Sequence, residues 1–267
     1  MNWENLTGDQ FPKMVEKVKG VCLLPLSCIE RHAHHLPMGT DMFIARALCE
    51  RAAELEPAIV HPNFIFTQIL EARHYPGTIA IDPLLTIQLL ENVFREIARN
   101  GLKKIVIVNG HGGNDSLIHY LAQIQLASKR DYVVYVSEPH YASAEEKELA
   151  AQWESKVDGH AGERETSAIL AVHPELVDKA ALKPGTEGVP QDRLKPLRDR
   201  GVDMGIWWYA DHPTHYCGDG TKGTAQKGDR LLNTRARELA ETIKLIKQDK
   251  ETKRLQDEFF SKTNLPE

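Results

Sequence analysis

The stretch KIVIVNGHGGN, residues 104–114, runs four consecutive β-branched residues into a turn of asparagines, glycines and a single histidine. A short β-branched run bounded by turn residues predicts a buried strand. A histidine centred among glycines at its carboxyl end predicts a loop that a ligand or metal approaches closely, because glycine permits backbone conformations that other residues resist. Three more runs share this character: GVCLLPLS (20–27), AIVHPNFIF (58–66) and YVVYVSE (132–138). Between them lie amphipathic stretches at 41–55, headed by Asp41 as a helix cap, at 83–100, opened by Pro83 and ended before Gly101, and at 115–128. This alternation predicts β-α-β units and an α/β fold with a mostly parallel sheet.

Ligands of such sheets gather at the carboxyl ends of the strands. The polar segment CIERHAHHLPMGTD (28–41) leaves the first predicted strand as NGHGGN leaves KIVIV, so the two are expected on one sheet edge. From about 180 to 228 the pattern becomes irregular and rich in proline and glycine, which predicts an excursion or lid within a single domain spanning 1–267. A charged helical pattern at 229–262 closes the chain.

Composition narrows the function. With 267 residues, 42% hydrophobic and 27% charged, the chain can bury one large core. A net charge of −5 leaves no broad basic field, so nucleic acid is not an expected partner. Cys22, Cys28, Cys49 and Cys217 show no CxxC spacing and read as reduced thiols of a cytoplasmic protein. The first twenty residues carry no apolar targeting run, and no membrane association is expected.

The polar clusters carry chemistry. Glu30 and His32, two apart, point the same way from an extended segment and offer an oxygen and a nitrogen suited to Zn or Mn. Asp41 can return to the same point, or act only as a helix cap with the neighbouring side chains in solvent. His111 suits a metal or, alternatively, an anion-cradling turn, although neither GxGxxG nor a P-loop lysine is present. In DGHAGERETS (158–167), a helix starting near Glu163 places Glu165 on the apolar stripe with Ala168, Ile169 and Val172. A carboxylate there needs a cation, whereas Glu163 reads as a first-turn acid complementing the helix dipole.

The ordered set ERHAHHLPMGTD (30–41), YPGTIAI (75–81), NGHGGN (109–114), HAGERETS (160–167) and GDGTKGTAQKG (218–228) resembles the creatininase (creatinine amidohydrolase) family over about residues 18–245. The resemblance implies a three-layer α/β/α fold, commonly hexameric, and two divalent metal ions (Zn, Mn or Fe). On the matching positions, Glu30 and His111 hold one metal, His32 and Glu165 the other, and Asp41 bridges them. It implies a bridging hydroxide that cleaves a carbon–nitrogen bond of a small molecule, with His160 as proton donor. Thr78, Gly112, Gly113 and His35 are the candidate substrate contacts, Thr78 being alternatively a turn residue before a strand and His35 a support behind the ligands.

This chain departs from the pattern at Arg31, Ala33 and His34, where glutamine, glycine and proline are usual; His34 thus has no implied role. Creatinine-cleaving members carry a tyrosine and a metal-binding glutamate where this chain has Gly112 and Gly113, leaving a ligand place for water or for Glu163, also a candidate catalytic residue. They also carry a tryptophan just before the third motif, where Lys156 and Val157 stand here and Trp153 lies further back. The resemblance therefore points to the wider family, which includes deformylases, peptide-cofactor maturation enzymes and hydrolases of cyclic ketones. Arg73, His74, Trp207, Trp208 and His212 are candidate selectivity residues, the tryptophans being alternatively core or subunit-contact aromatics. The competing reading is a non-catalytic sheet protein that has lost its metals.

Overall fold

The structure, a computed structural model, describes residues 1–137, 144–185 and 187–263. Four parallel strands, β1 (Val21–Leu26), β2 (Ile59–Val60), β3 (Lys104–Asn109) and β4 (Val133–Ser137), lie in the order β2-β1-β3-β4. Val21 pairs with Lys104 and Leu26 with Asn109, so β1 and β3 end level with one another. The last residue of the fourth predicted run, at position 138, lies outside the described residues.

Ten helices flank or extend the sheet among the described residues: α1 (Gln10–Lys17), α2 (Thr40–Leu55), α3 (Pro83–Arg99), α4 (Asp115–Ile124), α5 (Ala144–Ala150), α6 (Glu163–Val172), α7 (Lys195–Arg198), α8 (Trp207–Asp211), α9 (Ala225–Gln248) and α10 (Glu251–Lys262). Alternate residues of the central strands enter two cores. Cys22, Leu24, Leu26, Ile105 and Ile107 pack with Leu90, Phe94 and Ile97 of α3 and with Ile118 and Leu121 of α4. Val21, Leu23, Val106 and Val108 pack with α2, and with Leu232, Ala236, Leu239, Ile243 and Ile246 along one stripe of α9. Helices on both faces make the sheet the middle of three layers, which is why its strands read as continuous apolar runs.

Two expectations are corrected. The run 58–66 forms only a two-residue ladder, because Pro62 has no N–H to donate; pairing resumes as a single bridge between Leu26 and Phe64. The pattern 229–262 is two helices, divided where Asp249 turns extended (φ −64°, ψ 122°). Its carboxylate accepts from the backbone N–H of Glu251 (2.9 Å) and Thr252 (3.1 Å) and from the Tyr135 hydroxyl (2.7 Å), so it caps α10 and ties it to β4.

The chain leaves β1 to build β2 on one side and later crosses to β3 on the other. The carboxyl ends of β1 and β3 therefore flank the point where strand order reverses, and a crevice opens there.

Candidate metal centre

From the end of β1, residues 27–40 loop out and return. The backbone N–H of Glu30 donates to Met38 O (3.1 Å), and His32 bridges to Leu36. This fold-back carries Glu30 and His32 over the sheet edge and delivers Asp41 at the first turn of α2. From the end of β3, Gly110 brings His111 close to that turn: a Cβ on Gly110 would lie 2.8 Å from both Ala45 Cβ and Asp41 O. The approach therefore requires glycine. His160 is fixed by reciprocal backbone hydrogen bonds with Cys217 (2.8 and 2.9 Å), and Glu165 follows on α6.

The side chains converge. Asp41 divides its carboxylate: Oδ1 lies 3.0 Å from His32 Nε2 and Oδ2 3.1 Å from His111 Nδ1. Glu30 Oε1 is 2.9 Å from His111 Nδ1, and Glu165 Oε2 is 3.7 Å from His32 Nε2. Glu30, Asp41, His32 and His111 are all buried. Glu165 Oε2 also accepts from Ala161 N–H at 2.5 Å. The five residues singled out as metal ligands thus form one cluster, split into a Glu30–His111 half and a His32–Glu165 half about Asp41.

Charge in this cluster is strongly coupled. Burial opposes ionisation of Glu30, but His111 and His160 hold its carboxyl well below the usual range. Asp41 is likewise lowered against burial by His32 and His111. His32 is pushed up to about 10 despite burial, mainly by Asp41, and His111 is raised well above an ordinary imidazole by Glu30. Burial lifts Glu165 to about 7. Buried carboxylates are tolerated only beside positive charge, which the neighbouring histidines or a bound cation would supply. The donor set itself, imidazole nitrogens and carboxylate oxygens within reach of one another, fits divalent metal.

The structure adds residues that the motifs do not reach. Cys28 donates to Asp41 Oδ2 (3.2 Å); burial and Asp41 push its thiol up, so it serves as a donor to the aspartate. His215 comes from the irregular segment. Trp208 Nε1–H donates to His215 Nδ1 (2.9 Å), which leaves the proton on Nε2 to be donated to Glu30 Oε2. His160 donates Nε2–H to Arg31 O (2.8 Å), and its ring lies 4.3 Å from that of His32 and 4.5 Å from that of His215. Burial, with His32 and His215 nearby, lowers His160 to about 3. Ala33, Ala161 and His215 all adopt left-handed backbone (φ 53°, 54° and 55°).

Other expected site residues fall elsewhere. Glu163 cannot fill the place at Gly113 or act on substrate: its carboxylate is buried away from the cluster, on Lys227 Nζ (2.5 Å) and the N–H groups of Glu154 (2.9 Å) and Ser155 (2.8 Å). His35 is buried against Thr166 Oγ1 (2.9 Å) behind the site, so it braces α6 instead of facing substrate. Thr78 spends its hydroxyl on Ala72 O (3.0 Å), holding the turn Leu70–Ala72. Gly112 and Gly113 do line the cavity over the cluster, a space of about 1110 Å³. Arg73, His74, Trp207 and Trp208 form part of its wall, whereas His212 lies behind, packed on Trp208 at 4.5 Å. His34 is exposed. The four cysteines are buried and free, and no helix among the described residues is long and apolar enough to cross a membrane.

Comparison with known proteins identifies the family and the fold. The chain is 29% identical over 190 residues to the creatinine amidohydrolase of Pseudomonas putida, covering 65% of this chain and 72% of that protein. It is 28% identical over 255 residues to the mycofactocin precursor peptide peptidase of Mycolicibacterium smegmatis, covering 91% of each. The solved structure named Creatininase Mn superposes with a TM-score of 0.71 at 23% identity, over 91% of this chain and 96% of that one, and shares the fold. The profile of the family described as Creatininase: Creatinine amidohydrolase matches residues 4–243, and the chain belongs to the creatininase family of hydrolases.

Proposed function

We propose that the protein is a binuclear metal hydrolase that cleaves a carbon–nitrogen bond, of a linear or cyclic amide, in a small molecule. The observation that carries this reading is the divided carboxylate of Asp41, one oxygen on His32 and the other on His111, each histidine backed by a second carboxylate. Glu30, His111 and Asp41 would hold one ion, and His32, Glu165 and Asp41 the other. When bound, such a pair supplies Lewis acidity for the substrate carbonyl and for an attacking water.

The chain's own residues do the rest. His160 Nε2–H is committed to Arg31 O, which leaves Nδ1 as the nitrogen that would hand a proton to the leaving nitrogen. His215 fixes Glu30, and Trp208 fixes the tautomer of His215. Trp207 and Trp208 give the cavity beside the cluster an apolar wall against which a substrate would pack.

Metal analysis of protein purified without chelators tests the reading, together with turnover of cyclic amides, formamides and cyclic ketones by the loaded protein. About two ions per chain are expected, falling to fewer than one in Asp41→Ala. A metal-free protein, indifferent to Asp41→Ala, would sink it. Turnover of cyclic ketones alone would move the reaction to carbon–carbon cleavage on the same site.

A further inference from the structure

Creatinine-cleaving relatives are expected to carry a side chain where this protein has Gly113, and the space that side chain would enter is already filled. A Cβ on Gly113 would lie 2.4 Å from Glu71 Oε1, 2.4 Å from His111 Nε2 and 3.1 Å from Gln68 Nε2. Glu71 reaches this point from the turn Leu70–Ala72. Gln68 Nε2 donates to Glu71 Oε2 (2.9 Å) and to Gly113 O (3.2 Å), so the turn and the glycine loop are locked together.

His111 stands among three carboxylates. Its Nδ1 faces Glu30 and Asp41, and its Nε2, on the opposite side of the ring, faces Glu71 Oε1 at 3.6 Å. That Nε2 is buried and has no hydrogen-bond partner. A histidine that ligates through Nδ1 carries its proton on Nε2, and a buried N–H needs an acceptor. Glu71 is the carboxylate beside it. Its atoms fall outside the set of Cys28, Glu30, Asp41 and His111, whose donor atoms lie within 4.8 Å of one another.

We infer that Glu71 is a positioning residue of the metal centre: it accepts the Nε2 proton of His111 and fixes the tautomer that leaves Nδ1 free to ligate. The inference rests on the two-metal reading. A side chain at 113 would have to displace the Glu71 carboxylate from this place.

The test titrates zinc against a chromophoric chelator in the full-length wild type, Glu71→Ala and Glu71→Gln, and follows His111 by long-range proton–nitrogen NMR of the zinc-loaded protein. Weakening of one of the two sites by about 10- to 100-fold is expected in Glu71→Ala, with the other site little changed. Glu71→Gln keeps the volume and a neutral acceptor, so a smaller loss on the same site is expected. The NMR signature is an exchange-protected Nε2–H on His111 in the wild type that is lost in Glu71→Ala. Wild-type affinity at both sites in both variants would overturn the inference alone. A lower ligand count by X-ray absorption in Glu71→Gln would also overturn it, by making Glu71 a direct ligand. A wild type that takes up no zinc would overturn the two-metal reading, and the inference with it.

Discussion

Glu163→Gln separates a structural carboxylate from a catalytic one. In the wild type its side chain is fully buried and makes three hydrogen bonds, one to the Lys227 ammonium and two from backbone N–H groups of residues 154 and 155. Glutamine keeps the volume and can still accept from the backbone, but it presents no charge to Lys227. That ammonium is only 18% exposed and retains Glu154 Oε1 (2.7 Å) and Lys222 O (3.1 Å). Breaking a buried pair outright costs about 3–5 kcal/mol; with the backbone bonds and the other Lys227 partners kept, we expect about 2 kcal/mol, near the value of one charged hydrogen bond. For a chain of this size that is a fall in Tm of about 4–8 °C. The pH dependence has a definite sign. Burial opposes ionisation of Glu163, but Lys227 and Ser155 hold its carboxyl below the usual range. Its stabilising contribution is thus complete above the ordinary carboxylate range, and the gap between wild type and variant closes as pH falls through the folded-state value. The assay is equilibrium urea unfolding of the metal-loaded proteins at pH 7 and at acid pH, with metal content and turnover measured on the same samples. An unchanged urea midpoint together with lost metal or a turnover loss beyond about tenfold, a change of about 1.4 kcal/mol in the barrier, would refute the reasoning and return Glu163 to the site.

Three further outcomes are expected. Trp208→Phe keeps an aromatic ring, though a smaller one, and removes the donor to His215 Nδ1, so turnover should fall about fivefold with Tm little changed, the loss corresponding to about one hydrogen bond; steady-state kinetics with differential scanning calorimetry will check it. Asp249→Ala removes the cap of α10 and the Tyr135 bond, and hydrogen exchange should show α10 opening more readily by about 1–2 kcal/mol. The Asp249 carboxyl, held down to about 2 by hydrogen bonds from Thr252 and Tyr135, keeps that contribution until pH falls below the ordinary aspartate range, so the variant and wild type should converge only in strong acid. Gly110→Ala drives a methyl into Ala45 and the backbone of Asp41, and a destabilisation of about 1–3 kcal/mol with reduced metal content is expected from chemical denaturation and metal analysis.

The layers were legible because both sheet faces are covered: strands buried on two sides must be apolar throughout, and Ile105 to Val108 announce this in four residues. The five clustered donors were legible because two strand ends and one helix stripe confined them. Glu163 was misplaced although helix geometry argues against its role, since residues two apart on a helix point about 200° away from each other, and Glu165 already faced the cluster. His215 was invisible for a different reason. It stands 185 residues from Glu30 in a segment without periodicity, and only the tertiary path brings them together. Glu71 was missed because its signal is an absence at Gly113, which has meaning only once the neighbouring space is known. The shortness of β2 went unread because the apolar residues around Pro62 outweighed the missing N–H there.

The left-handed backbone at Ala33, Ala161 and His215 has a thermal consequence. Each position carries or directly follows a histidine of the centre, so these rings are aimed by kinks and not by regular elements. A non-glycine residue held there costs about 1–2 kcal/mol, or about 3–6 kcal/mol for the three together. That is comparable with the net stability of a whole domain, about 5–15 kcal/mol. The packed layers hold the crevice in a conformation it would not adopt alone. Heat, or any mutation that loosens those layers, should therefore let the histidines drift before the sheet itself melts, so that activity is lost several degrees below the unfolding transition.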